Sequence, residues 1–199
     1  TSAKFYKPGG ITSDGTNLYV ADSNNNTIRK IVISTGAVTT LAGSTTQGST
    51  NATGTSARFR TPYGITTDGT NLYVADTNNH LIRKIVISTG VVTTFAGSSS
   101  GFADATGTSA KFKNPQKIIT DGTNLYVGDS GNHKIRKIVI STGVVTTLAG
   151  SGTAGTTDGA VTAATFNEPW GITIDGTNFY VAESIGNKIR KIALRGTET

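Results

Sequence analysis

The sequence predicts an all-β protein, a β-propeller of about four four-stranded blades with the last blade incomplete. Three observations predict it. One unit of roughly 54 residues recurs about four times, each copy holds four short strand-like segments, and no long segment shows a convincing helical apolar period. Prolines mark the period: Pro8, Pro62, Pro115 and Pro169 stand 54, 53 and 54 residues apart. Asp14, Asp68, Asp121 and Asp175 each open an Asp-Gly-Thr-Asn turn, and Tyr19, Tyr73, Tyr126 and Tyr180 follow in the next segment. A fixed period of this size belongs to a solenoid, a propeller or an array, in which one unit stacks on its copies.

The contents of the second copy choose among these. Gly64–Thr67 reads as a short strand, and Asp68-Gly69 is a hairpin turn. Leu72–Ala75 is a second strand, and Asp76–His80 is a polar loop. Ile82–Ile87 is a third strand, Ser88-Thr89-Gly90 turns the chain, and Val91–Ala96 is a fourth. Four consecutive antiparallel strands without a helix make one propeller blade. The rungs are too long for a β-helix, and the Leu-x-x-Leu-x-Leu ladder of a leucine-rich repeat is missing. Ile82–Ile87 is apolar on both alternating faces, as a sheet covered by two neighbouring sheets requires.

A long Gly/Ser/Thr/Ala segment such as Gly97–Ala110 follows the fourth strand and leads to a recurrent phenylalanine. Phe5, Phe59, Phe112 and Phe166 are expected to fill the gaps between blades. The blades so drawn cover approximately 5–57, 58–110, 111–164 and 165–199. The fourth copy runs from Trp170 to Leu194 and stops at Thr199, before a fourth strand, and Thr1–Lys7 holds no Val-Thr-Thr-Leu-Ala-Gly-like segment to replace it. A propeller normally removes its strand edges by pairing its two chain ends. Three expectations follow: a piece of a longer propeller, which ranks first, a ring completed by another chain as a homo-oligomer, or a four-bladed form with one three-stranded blade.

Composition narrows the chemistry. The chain of 199 residues can bury a core, and its lack of cysteine excludes disulfides, thiol catalysis and thiolate metal sites while leaving the redox compartment undecided. No apolar run approaches the ~18 residues of a membrane-spanning helix. The absence of methionine, at position 1 as elsewhere, suggests a processed, trimmed or partial chain. A net charge of +6 suits an acidic partner, yet eight of the eighteen basic residues are four copies of one pair: Arg29-Lys30, Arg83-Lys84, Arg136-Lys137 and Arg190-Lys191. Copies of that kind belong first to the architecture, so nucleic acid is disfavoured as a partner without being excluded.

At these residues the chain resembles the NHL-repeat family of β-propellers. The second repeat reads Pro62-Tyr-Gly-Ile65, Leu72-Tyr-Val-Ala-Asp76, Asn78-Asn-His-Leu-Ile-Arg-Lys-Ile85 and Gly90-Val-Val-Thr-Thr-Phe-Ala-Gly97, and it contains Asn79-His80-Leu81. The resemblance covers essentially the whole chain. It implies a propeller, most often of six blades, that binds proteins, RNA or other ligands. Some relatives are enzymes, the peptide-amidating lyases among them, and those need metal-binding histidines and cysteines. Here there are two histidines and no cysteine.

Comparison among the copies separates blade-building residues from ligand candidates, since a bespoke site should differ from blade to blade. The residue after each proline does differ: Gly9, Tyr63, Gln116 and Trp170. These lead into the innermost strands and are expected at the mouth of the axial channel, where aromatics serve as ligand platforms or as covers for a seam. Lys117 stands where the other copies have Gly10, Gly64 and Gly171. His80 and His133 share a loop position with Asn26 and Asn187, and with no carboxylate or third histidine beside them they read as loop caps before metal ligands. Asp22, Asp76, Asp129 and Glu183 precede arginines by seven residues across a hairpin and are expected to pair with Arg29, Arg83, Arg136 and Arg190. Lys4, Lys7, Arg58, Arg60, Lys111 and Lys113, with Lys134, are expected to make the long-loop face mildly positive.

The function expected is a non-enzymatic binding or interaction scaffold without a cofactor, for a protein or glycan ligand, extracytoplasmic and bacterial in style. Two alternatives stand beside it: a fragment of a propeller enzyme of the metal-dependent lyase or lactonase type, and an amplified or engineered repeat without a dedicated ligand.

Overall fold

The Asp-Gly-Thr-Asn turns set the geometry of the inner hairpins. In the second copy Asp68 accepts the backbone N–H groups of Thr70 and Asn71 on Oδ1, at 2.9 and 2.6 Å. Its Oδ2 accepts from Asn71 Nδ2 and the Tyr73 hydroxyl, both at 3.0 Å. Gly69 takes φ +88°, a left-handed conformation open to glycine at no steric cost. The turn thereby fixes the register Thr67↔Leu72 and Ile65↔Val74, and so decides which face each apolar side chain occupies.

The computed structural model describes residues 3–193 and contains fifteen strands in four antiparallel sheets. The first sheet holds β1 (Pro8–Ser13), β2 (Asn17–Asp22), β3 (Thr27–Val32) and β4 (Val38–Gly43). The second holds β5 (Pro62–Thr67), β6 (Asn71–Asp76), β7 (Leu81–Val86) and β8 (Val92–Ala96). The third holds β9 (Pro115–Thr120), β10 (Asn124–Asp129), β11 (Lys134–Val139) and β12 (Val145–Ala149). The fourth holds β13 (Pro169–Ile174), β14 (Asn178–Glu183) and β15 (Lys188–Ala193), three strands among the described residues. Each sheet is a meander in chain order, and the fold is a four-bladed β-propeller whose last blade is three-stranded. Residues 194–199, where the fourth repeat ends, lie outside the described residues.

Three seams carry the core, and each is built to one plan. Tyr19, Ala21 and Ile28 of the first blade face Ile65, Leu72, Val74 and Ile85 of the second, with Phe59 wedged between them. Tyr73, Ala75 and Ile82 likewise meet Ile118, Leu125, Val127 and Ile138 around Phe112. Tyr126 and Ile135 meet Ile172, Phe179, Val181 and Ile192 around Phe166. The recurrent phenylalanines therefore do fill the seams. Period-two alternation places one apolar set on each face of every blade, and burial of both faces is the main stabilising term.

Among the described residues the fourth blade and the first form no seam like the other three. Ile189, the counterpart of the fully buried Ile28, Ile82 and Ile135, is 73% exposed, and Ile11 on the outer face of the first blade is 55% exposed. Beside Ile11 lies an apolar groove of ≈ 300 Å³ lined by Phe5, Gly10, Val20 and Ile31. A second groove, ≈ 750 Å³, runs along β15 between Leu148, Val161, Phe166 and Ile192, on the side where the other blades carry their fourth strand.

Candidate functional site: the axial mouth and its supports

Every blade starts at the same end of the molecule. Pro8, Pro62, Pro115 and Pro169 pair with Asp22, Asp76, Asp129 and Glu183, which puts each inner-strand start beside the loop joining the second and third strands. The residue before each proline, Lys7, Thr61, Asn114 or Glu168, has φ between 49° and 54°. That left-handed region is costly for a residue with a Cβ, by ~1–2 kcal/mol, and at Thr61, Asn114 and Glu168 the preceding blade holds it. Asn26 Oδ1 accepts the Thr61 N–H at 2.8 Å, His80 Nδ1 accepts the Asn114 N–H at 3.1 Å, and His133 Nδ1 accepts the Glu168 N–H at 3.3 Å. Asn26, His80 and His133 are themselves left-handed caps of short 3₁₀ turns. Each histidine thus spends one ring nitrogen on the backbone corner of the following blade. Burial, then the Arg60 and Lys113 charges, lower the His80 pKa and favour the neutral, accepting imidazole.

Past those corners lie the residues that vary from blade to blade. Tyr63 of the second blade and Trp170 of the fourth meet edge to face, with centroids 5.3 Å apart and planes at 83°. Trp170 Nε1–H donates to the Tyr63 hydroxyl at 3.1 Å. This contact skips the third blade, whose residue at the same position is Gln116. Gln116 is 8% exposed, and its Oε1 has no hydrogen-bond partner among the described residues. Gly9 completes the set: a Cβ there would lie 2.6 Å from the Tyr63 ring, so one edge of the tyrosine closely approaches bare backbone. Trp170 remains 36% exposed.

Lys117 changes the third seam. In the first two seams the next blade's carbonyl sits over a glycine: Tyr63 O over Gly10, and Gln116 O over Gly64. A side chain at 117 forbids that approach. The Pro169 carbonyl instead comes over Gly128, where a Cβ would stand 2.8 Å from it; the other blades carry Ala21, Ala75 and Ala182 at that position. The pair Lys117 and Gly128 is a reciprocal exchange of bulk between neighbouring inner strands.

Behind the mouth lie the four ion pairs. Arg29, Arg83, Arg136 and Arg190 donate from NH1 to Asp22, Asp76, Asp129 and Glu183 at 3.2, 3.0, 2.7 and 2.7 Å. A third partner, not anticipated from the sequence, completes three of them. The NH2 groups of Arg83, Arg136 and Arg190 donate to Asn51, Asp104 and Asp158, residues of the connecting segments. Those residues recur at spacings of 53 and 54, a signal hidden in low-complexity sequence. Each guanidinium also lies over its seam phenylalanine, Arg83 being 5.2 Å from the Phe59 centroid.

One expectation is corrected. Lys134 does not contribute to the positive face: it is buried, its Nζ donates to the Gly150 carbonyl at 2.8 Å, and it stands 4.7 Å from the Phe102 ring centroid. Lys4, Lys7, Arg60, Lys111 and Lys113 are exposed as expected, and Arg58 is half-buried. Among the described residues no group of three or more His, Asp or Glu side chains is placed to hold a metal ion. No helix among them is long and apolar enough to cross a membrane.

Fold and site together define a repeat-built propeller whose blades are near-copies that differ at the residue following each proline. Comparison with known proteins agrees on the class. The chain is 33% identical over 160 residues to NHL repeat-containing protein 2 of Bos taurus, covering 72% of this chain and 22% of that protein. It superposes with a TM-score of 0.78 on a structural genomics protein of unknown function from Bacteroides thetaiotaomicron, at 29% identity, over 94% of this chain and 47% of that one. An auxiliary nutrient binding protein from the same organism superposes with a TM-score of 0.75 at 22% identity, over 92% and 46% of the two chains, which speaks for the fold alone. No family model matches the chain. The chain belongs to the NHL-repeat family of β-propellers, and it spans about a fifth of the length of the curated relative it matches.

Proposed function

We propose that this chain is a non-enzymatic binding propeller that takes a protein or glycan segment at the mouth formed by Tyr63, Gln116, Lys117 and Trp170. One observation carries the reading. The position after the proline varies in all four blades while its surroundings repeat, and its two aromatic variants meet at the mouth with Trp170 still accessible. An amphipathic aromatic pair beside an unsatisfied amide oxygen is suited to ring or peptide stacking with one fixed polar contact. His80 and His133 support the mouth by holding the backbone corners and do not touch the ligand. An extracytoplasmic setting goes with this reading, in keeping with a structural neighbour described as an auxiliary nutrient binding protein.

Trp170 is the only tryptophan, so its fluorescence reports the site directly. Titration with panels of neutral oligosaccharides and of extended peptides is expected to give a saturable spectral change with one of them, lost in Tyr63→Ala. Saturable binding that leaves Trp170 emission unchanged and survives both Tyr63→Ala and Trp170→Ala would remove the mouth from the proposal.

A further inference from the structure

Most components of the three internal seams have a counterpart standing unused, among the described residues, on the first and fourth blades. The fourth blade presents Tyr180, Ala182 and Ile189, the set that in the first two blades is Tyr-Ala-Ile and lies buried under the following blade. The first blade presents Ile11, Leu18 and Ile31, the counterparts of Ile65, Leu72 and Ile85, together with the wedge Phe5, while Val20, the counterpart of Val74, is already buried. The polar links repeat too. Asn187 occupies the position of Asn26, His80 and His133, yet its side chain bonds only within its own loop, to Ile185 O at 3.1 Å. Lys7 is a left-handed pre-proline corner like Thr61, Asn114 and Glu168, but no Asn or His of a preceding blade meets its N–H among the described residues. Ser23 and Thr77 donate to the Pro62 and Pro115 carbonyls of the following blade at 2.6 and 2.7 Å. Ser184, in the same register, turns back to Glu168 at 3.3 Å, and a Cβ on Gly171 meets nothing but its own blade's Ala182.

We propose that a second copy of this chain closes the ring head to tail, the first blade of each copy packing on the fourth blade of the other. Two equivalent seams of the internal type result, with Asn187 accepting the Lys7 N–H and Ser184 donating to the Pro8 carbonyl. The committed occupant is a second copy because the two faces complement each other and neither complements itself: the Tyr-Ala-Ile face packs on the Ile-Leu-Val-Ile face in each complete seam. The number of copies, two, comes from chain length. The Bacteroides chain of unknown function accommodates nearly all of this one in just under half its length, so two copies match one such chain. A heterologous interface forms a closed ring only when its rotation fits a whole number of copies, and otherwise makes an open polymer.

The experiment is light scattering coupled to size exclusion on the full chain at micromolar concentrations. The result expected is a single species of twice 20.5 kDa. Ile189→Asp and Ile11→Asp, both at exposed positions, are each expected to give a folded monomer with an unchanged far-ultraviolet spectrum. Mixing these two variants in equal amounts regenerates one unaltered seam and restores a dimer, which a merely unfolded variant could not do. A wild-type monomer, a ladder of higher oligomers, or a mixture of the two variants that stays monomeric overturns the proposal.

Discussion

Removing the Arg83 guanidinium should unfold the propeller far more readily than removing its first-blade equivalent. Arg83 is fully buried and donates four hydrogen bonds: to Asp76 at 3.0 Å, the Arg58 carbonyl at 2.9 Å, the Thr50 carbonyl at 3.2 Å and Asn51 at 2.8 Å. Arg83→Ala leaves the buried Asp76 carboxylate with only the Arg60 N–H and Asn79 Nδ2, and strips two carbonyls of a donor. Breaking a buried pair from one side costs about 3–5 kcal/mol. The buried Arg83 Nε has no partner to lose, which pulls the figure toward the lower end. Among the described residues Arg29 makes two hydrogen bonds, both at 3.2 Å, with its side chain partly in water. Its removal should cost about 1–2 kcal/mol. Urea unfolding followed by circular dichroism on the wild type and both variants measures the difference. Equal losses for Arg83→Ala and Arg29→Ala would show that the extra bonds to the connecting segment contribute nothing, and would refute the reasoning.

The turn carboxylates and their tyrosines set a pH window. Burial would raise the Asp121 pKa, but donors from Asn124, Tyr126 and Thr123 bring it down to about 2, while burial and the Asp121 carboxylate push Tyr126 up to about 12. A depressed carboxylate adds stability above its unfolded value near ~4 that is lost as pH falls toward ~2. A raised phenol adds stability below ~10 that is lost as pH climbs through ~12. Melting temperatures across pH are expected to plateau between those limits, and Asp121→Asn should flatten the acid limb. At the blade corners, His80→Asn keeps an acceptor of the kind Asn26 supplies and should be nearly neutral. His80→Ala orphans the Asn114 N–H and should cost about 2 kcal/mol in thermal unfolding. Chelation by EDTA should leave the melting temperature unchanged, because each turn aspartate already accepts from its own asparagine and tyrosine.

Much of this architecture is legible in the amino-acid order because its determinants are local or periodic. The Asp-Gly-Thr-Asn turns, the alternation within Ile82–Ile87, and the seven-residue Asp–Arg spacing each act within one hairpin, where sequence distance and spatial distance agree. What escaped reading is non-local or conformational. The Trp170–Tyr63 contact spans 107 residues and skips a blade, so it depends on the curvature of the whole arc. His80 and His133 read as loop caps in sequence, but their partners are backbone N–H groups of the following blade, which carry no letter. Lys134 reads as surface charge, and only the fold reveals that Phe102 and the Gly150 carbonyl enclose it. Gly128 is an unremarkable glycine until Lys117 is seen to displace the neighbouring strand onto it.

The buried arginines have a consequence for how the molecule comes apart. Arg83 belongs to the second blade, yet two of its bonds hold Thr50 and Asn51, which lie on the strap arriving from the first blade; Arg136 and Arg190 grip their own straps in the same manner. The cooperative unit is therefore a sheet plus the strap that feeds it, displaced from the repeat written in the sequence. An interior sheet that melts releases the strap of its predecessor and uncovers two seams, whereas a terminal sheet uncovers one. In a copy whose two ends stay unpaired, as expected for the Ile11→Asp variant, hydrogen exchange should accordingly advance inward from the ends like a zipper, with the β6 and β7 amides among the last to open.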